Sequence, residues 1–374
     1  MISKKSILKR FLAYVRIDSP SKEEGRFAKH IKNELKRIGI KPKEDNAARR
    51  LDGQSGNIYA SIPGNVAKAP RVLINAHLDT VRSGVGIRPR IRRGIVYSDG
   101  KTILGADNKA GVAVMMEVAK ALTKDNIPHG QIDLLFTVAE EIGLMGSKFL
   151  DRRSLEADFG YVLDGGDVDE IINKAPSQDS IEAKIIGRAA HAGVRPEKGI
   201  NAIKVASEAI AKMKLGRIDR ETTANIGMIE GGVATNIVPE SVTLKGEARS
   251  HDIGKLRKQV LHMKSMLTKA CKKHKARLYL RITPAYRSFE VKRSNRALKI
   301  ALISAEKVGL RPKIKATGGG SDANIFARYG IPCLIIGAGA DSVHTARENV
   351  AINDMWKSAQ FLLEIIKNVT RDIS

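Results

Sequence analysis

Four runs of strand length are apolar at nearly every position, and this constrains the fold more than any other feature of the 374 residues. They are RVLINAHLD (71–79), DLLFTVAEE (133–141), FGYVLDGG (159–166) and IPCLIIGAG (331–339). A strand with one face in water alternates polar and apolar side chains. These do not alternate, so they read as strands covered on both faces, as in a parallel sheet between helical layers. Helical patterns separate them: an amphipathic helix near 22–38 ending at Gly39, the stretch NKAGVAVMMEVAKALTK, RALKIALISAEKVG, and a last helix containing Trp356. In NKAGVAVMMEVAKALTK the positions Val112, Met115, Met116, Ala119 and Leu122 recur at helical spacing. The expected fold class is α/β, a mostly parallel sheet covered by helices.

The middle of the chain has a different rhythm. DSIEAKIIG, NIGMIEGG, SVTLKGEARS and ARLYLRITPAY read as strands, while GINAIKVASEAIAKMK and HDIGKLRKQVLHMKSMLTKACKKH read as helices. Their order, β-α-β-β-α-β, is the ferredoxin-like α+β pattern. At this length two domains are the default. The expectation is an α/β domain formed by 1–178 and 291–374, with 179–290 inserted as a ferredoxin-like lid or dimerisation domain.

Composition excludes several classes. No apolar stretch approaches the roughly 20 residues needed to span a bilayer. The start, MISKKSILKRFLAYVRIDS, lacks a continuous apolar core and a small-residue cleavage site, so it reads as the first helix of the fold. Cys271 and Cys333 lie far apart with no CxxC spacing, which suits a reducing, cytoplasmic compartment. The formal charge is +25, densest in RPRIRRG (88–94) and KKHKAR (272–277). Basic residues are nevertheless spread along the whole chain and aromatics are only 4%, too few for base-stacking platforms. A lysine-rich solvated surface is therefore expected rather than a nucleic-acid partner.

Acids and histidines gather where the apolar runs end. His77 and Asp79, Glu140 and Glu141, and Asp164 follow such runs, Asp107 precedes a helix, and His344 lies in a loop after the fourth run. In open α/β sheets, residues beyond the carboxyl ends of the strands converge on the ligand site. Five carboxylates so close repel by about 4 kcal/mol per 4 Å pair at an effective dielectric of 20. Bound cations make such a cluster tolerable, and the set suffices for two. Each residue has a plainer reading. A lone strand-end histidine is usually a satisfied core residue, Asp107 fits a helix N-cap, and Asp164 before two glycines fits a turn. Together they point to metal, with a carboxylate beside His77 fixing its tautomer. Adjacent Glu140 and Glu141 cannot face the same way. One is expected to bind metal and the other to take a proton from metal-activated water.

The motifs HLDT, GADNKAG, AEEIGLMGS, VLDGG, AAHAG, ATNIVPE, EARS and GGGSDAN resemble those of the dinuclear zinc exopeptidases. That family includes peptidase T, the carnosinases, glutamate carboxypeptidase, succinyl-diaminopimelate desuccinylase and aminoacylase. The resemblance covers nearly the whole chain, with the insert between Asp164 and His344. Related aminopeptidases carry a different insertion between the first histidine and the bridging aspartate, for which His77 and Asp107 are too close. It implies that His77 and Asp164 hold one metal, Glu141 and His344 the other, and Asp107 bridges them. The cations would be two divalent ions, Zn2+ first, with Co2+ or Mn2+ as alternatives. Glu140 would be the general base, Asp79 the partner of His77, and His191 the donor to the developing oxyanion, reaching a neighbouring subunit in dimeric members. Aspartate at position 164 points to a peptidase T-like di- or tripeptide aminopeptidase. A deacylase or carboxypeptidase is the alternative within the family, and a basic nucleic-acid or surface-binding protein the remote one. Candidate substrate contacts are Arg249, which can grip a carboxylate or be a plain surface arginine, Asn236 in ATNIVPE, and Gly319 and Ser321, where a simple helix-entry loop competes. A homodimer through the insert, with a short peptide as substrate, completes the expectation.

Overall fold

The computed structural model describes residues 2–151 and 155–371. Met1 and residues 372–374, with which the expected domains begin and end, lie outside the described residues. The chain forms two compact units. One comprises Met1–Lys174, Glu290–Ala316 and Ser321–Ser374, and the other Ala175–Phe289 with Thr317–Gly320.

In the first unit the strands Ile132–Thr137, Val72–His77, Phe159–Gly165 and Cys333–Gly337 lie side by side and parallel at the centre of a nine-stranded sheet. Every residue of Val72–His77, Ile132–Thr137 and Cys333–Gly337 is buried, which is why these segments are mostly apolar, with Asn75 and Asp133 as buried, hydrogen-bonded exceptions. Ile58–Ile62 joins Ile132–Thr137 and Glu170–Ala175 joins Cys333–Gly337 antiparallel, while Lys313–Ala316 pairs with Glu170–Ala175 in parallel, so the sheet is mixed and mostly parallel, as expected. The helix Ala106–Lys124 packs on this sheet and is covered in turn by Lys4–Val15 and Ile352–Val369. Gly25–Arg37 buries Phe27, Ala28, Ile31 and Leu35 along one face, and Gly39 at φ +82° lets the chain leave it. Among the described residues no helix is long and apolar enough to cross a membrane.

A second, four-stranded sheet was not legible in the sequence. It runs Ala340–Asp341, Asn349–Ala351, Ile95–Tyr97, Arg90–Arg92. Strands of two or three residues are too short to show a period. The basic run RPRIRRG forms its outer hairpin, with Arg90, Ile91 and Arg92 all exposed and the turn made by Arg93 and Gly94 at positive φ. This sheet matters because its strands at 340–341 and 349–351 flank the loop that carries His344.

The second unit is a five-stranded antiparallel sheet ordered Gly216–Arg217, Thr222–Gly231, Ser241–Ser250, Ser177–Ile186, Arg277–Tyr286. Leaving aside the two-residue edge strand, this is the ferredoxin-like arrangement, with Ala202–Ala211 and Ile253–Lys273 as its helices. Ser177–Ile186 alternates strictly, burying Ile181, Ala183 and Ile185 toward those helices, as a one-sided sheet requires. The glycine loop 317–320, expected with the first unit, belongs to this one. A side chain at Gly320 would put its Cβ 2.2 Å from the Tyr286 ring. That close approach accounts for a glycine there without invoking substrate.

Candidate metal centre

Three of the central parallel strands deliver acids or imidazole at their carboxyl ends. His77 closes one strand and pairs in register with Thr137 of the next, from which the chain runs on to Glu140 and Glu141. Asp164 is the penultimate residue of Phe159–Gly165. Asp107 is not the N-cap that a lone aspartate before a helix suggests. Gly105 occupies that position without side-chain capping, and Asp107 has a non-helical backbone (φ −82°, ψ 102°) followed by a cis peptide bond to Asn108. The carboxylate of Glu348, fully buried, accepts from the backbone N–H groups of Leu104 (2.7 Å), Gly105 (2.8 Å) and Asp107 (2.9 Å).

Asp107 stands between the two histidines. Its Oδ1 lies 3.1 Å from His77 Nε2, and its Oδ2 lies 3.3 Å from His344 Nε2. Asp164 Oδ1 is 3.4 Å from His77 Nε2, while Glu141 Oε1 is 2.9 Å from His344 Nε2. The atoms thus form two triads sharing one carboxylate: His77, Asp107 and Asp164 on one side, His344, Asp107 and Glu141 on the other. Ligand atoms about 2.1 Å from a tetrahedral cation lie about 3.4 Å from one another. The imidazole–carboxylate separations, 2.9 to 3.4 Å, lie near that spacing, and ligand atoms of His77, Asp107 and Glu141 lie within 4.8 Å of one another, so the cluster could hold a divalent ion. Imidazole and carboxylate donors without thiolate suit Zn2+, Co2+ and Mn2+ alike.

Asp79 has a second duty beside the one expected of it. The His77 Nδ1 atom lies 3.0 Å from the Asp79 backbone carbonyl and 3.4 Å from the nearer carboxylate oxygen. The carboxylate also accepts from the backbone N–H of Glu140 (2.9 Å) and of Glu141 (3.1 Å), and from the Ser21 hydroxyl (2.6 Å). Buried Glu24 accepts from the N–H of Ala139 at 2.9 Å, holding that residue at φ +51°. Two buried carboxylates therefore grip three consecutive amides and set the directions of Glu140 and Glu141. Asp322, buried beside Thr137 and accepting from its hydroxyl at 2.5 Å, is a further acid that the sequence reading passed over.

The electrostatics are those of a cluster that calls for cations. Burial alone would push the His77 imidazole down, yet its contacts with Asp107, Asp164 and Asp79 raise it well above the usual histidine range. Contacts with Asp107 and then Glu141 raise His344 to about 10. Burial raises Glu140 well above the carboxylate range, with the charge of Asp164 adding to it, and burial likewise raises Asp164 and Glu141. Asp107 is held low because both imidazoles outweigh its burial. Protons on the two rings stand in for metal charge.

A prediction follows with a definite sign. An unperturbed histidine is neutral at pH 8, but His344, raised to about 10, is protonated there and must lose that proton to bind metal. Adding Zn2+ to metal-stripped protein at pH 8 is expected to release at least about one proton per chain. Calorimetry in buffers of different ionisation enthalpy measures this, and a release near zero would contradict the raised imidazoles.

The remaining candidates belong to the second unit, apart from Ser321. His191 is exposed, and its Nδ1 accepts from the N–H of Gly193 at 3.1 Å, which places the proton of the neutral ring on Nε2. A bridge between His191 and Ile237, with Ala192 N–H donating to Asn236 O at 2.9 Å, brings His191 alongside Asn236. Arg249 grips Glu247 with two nitrogens, Nε at 2.7 Å and Nη2 at 3.1 Å, while Nη1 lies 3.4 Å from Gly318 O. Gly319 N–H donates to the Thr317 hydroxyl at 3.1 Å. Ser321, buried, caps the helix Asp322–Arg328 in a capping box with Asn324, as the helix-entry reading has it.

The family described as "Peptidase family M20/M25/M40" matches residues 73–368. The Bacillus subtilis protein YqjE is 41% identical over 372 residues, 99% of this chain and 100% of that one. The crystal structure of a tripeptidase from Staphylococcus aureus superposes with a TM-score of 0.93 at 40% identity, covering 100% of both chains. That of aminopeptidase PepT from Bacillus cereus gives 0.88 at 40% identity, covering 99% of this chain and 100% of its own.

Proposed function

The chain belongs to peptidase family M20/M25/M40 as a peptidase T-like hydrolase of peptide bonds, and on that premise we propose that it removes the amino-terminal residue from short peptides. The observation that carries this reading is the shared carboxylate of Asp107, one oxygen toward His77 and the other toward His344, with buried Glu140 close by.

His77, Asp107 and Asp164 would hold one divalent cation, and His344, Asp107 and Glu141 a second, with Zn2+ first among the candidates. Such ions, when bound, polarise the scissile carbonyl and bring the pKa of water to about 7. Glu140 takes the proton of the attacking water and delivers it to the leaving amine. Its burial favours the protonated form, which makes the carboxylate a stronger base for taking the proton of the attacking water. Asp79 and Glu24 keep the carboxylate aimed. His191 is the proposed donor to the oxyanion, through its Nε2–H, and Asn236, Arg249, Gly319 and Ser321 are the proposed substrate contacts. The aminopeptidase and tripeptidase named among the 40% identical structures support cleavage at the amino end of a short peptide.

The second unit is also the proposed dimer interface. Thr222–Gly231 is paired on its outer side only at Thr223 and Ala224 among the described residues, leaving an open edge beyond them. Met228, Ile229 and Val233 are exposed along or just beyond that edge. Free, buried Cys271 and Cys333 suit a cytoplasmic setting.

One substrate panel tests the function. Ala-Ala-Ala is expected to lose its first residue, and acetylation of that peptide to abolish cleavage. Preferential hydrolysis of acetylated amino acids or folyl-glutamate would replace the aminopeptidase reading with deacylase or carboxypeptidase chemistry.

A further inference from the structure

The carboxylate of Glu348 is 0% exposed and lies in a segment 241 to 244 residues away from its partners. Its two oxygens take three amide protons from one short stretch: Oε2 from Leu104 and Gly105, Oε1 from Asp107 itself. These are N–H groups at the start of the helix Ala106–Lys124, whose own N-cap residue, Gly105, contributes no side chain.

The other end of Glu348 matters equally. It is four residues beyond His344, and its own N–H donates to Thr345 O at 3.0 Å within the same loop. The strand Asn349–Ala351 follows at once and is tied to Ile95–Tyr97 on one side and Ala340–Asp341 on the other. One buried side chain thereby fastens the segment that carries His344 to the segment that carries Asp107. Between those segments, Asp107 Oδ2 meets His344 Nε2 at 3.3 Å. Ligand distances in a metal site tolerate only about 0.2 Å of drift. A loosened 104–107 segment would move the one carboxylate that both triads share.

We infer that Glu348 is a positioning residue for the metal centre, acting through the backbone of Asp107 to hold the shared carboxylate in register with His344. The inference rests on the metal-centre reading above but concerns a residue that would touch neither cation nor substrate. Glutamine is nearly isosteric, yet it offers a single acceptor oxygen and turns an amide NH2 toward amide donors. The role therefore needs both carboxylate oxygens, not merely a buried polar group.

The test uses Zn2+ alone, titrated against a competing chelator into metal-stripped protein, together with thermal unfolding of the stripped form. Glu348→Gln is expected to weaken Zn2+ binding by about 10- to 100-fold while the stripped protein still unfolds cooperatively. Glu348→Asp, which keeps both oxygens at shorter reach, should fall between. Glu117 provides the control: buried, bonded to Ser6 and Arg10, and part of neither triad. Glu117→Gln is expected to lower the unfolding temperature and leave Zn2+ affinity unchanged. If Glu348→Gln follows the Glu117→Gln pattern, with Zn2+ affinity within about threefold of the unmodified protein, Glu348 is only a prop for the fold and the inference is overturned. Unmodified protein that takes up no Zn2+ would remove the metal-centre reading and this inference together.

Discussion

Turnover is expected to fall by a factor of about 100 to 10,000 when Glu140 is replaced by Gln, with both cations still bound. Glu140 is buried and lies among Asp164, His77, Asp322 and Glu141, yet it forms no part of either triad. Its amide is held by Asp79 at 2.9 Å, so the substitution changes the proton acceptor and leaves the backbone anchored. Glu141 differs. Its Oε1 lies 2.9 Å from His344 Nε2, so Glu141→Gln removes a charged donor from one triad and is expected to lower metal content. Elemental analysis and kcat on one tripeptide, measured for both variants, decide the matter. Metal loss in Glu140→Gln with full occupancy in Glu141→Gln would reverse the two roles.

His191→Ala is expected to lower turnover by roughly 100- to 1,000-fold without changing metal content, the usual range for removal of one oxyanion donor. The ring is exposed, accepts from Gly193 at Nδ1 and has Nε2–H left to give. An ordinary turn histidine would show no such loss. If the donor acts on a neighbouring subunit, mixing inactive Glu140→Ala with inactive His191→Ala protein restores part of the activity, because mixed dimers contain one site with both residues intact. When subunit exchange is demonstrated and no activity returns, the donor serves its own subunit or has no catalytic part. The two cases separate on the activity of His191→Ala alone.

Much of the candidate site could be read before any coordinates, for a physical reason. A strand buried on both faces is mostly apolar, so polar residues at its end stand out, and parallel strands bring their carboxyl ends to one edge. His77, the Glu140–Glu141 pair and Asp164 were visible on those grounds, and the structure brings them together with Asp107 and His344. The β-α-β-β-α-β order of the insert was equally plain, since alternation and helical periodicity are local properties.

Hydrogen-bond partners are not local, and there the sequence was mostly silent. The Asp79 carboxylate stands 3.4 Å from His77 Nδ1, as its place two residues on suggested, but its bonds to the amides of Glu140 and Glu141, 61 and 62 residues away, were not legible. Glu24, which nothing in the sequence singled out, is buried and accepts from the Ala139 amide, 115 residues away. Glu348, in a polar loop, closes a contact across more than 240 residues, and the arginine-rich run at 88–94 became the edge of a small sheet. Periodicity records whether a segment buries its own side chains. Which distant amide a buried carboxylate will satisfy depends on how the segments dock, and only the tertiary structure settles that.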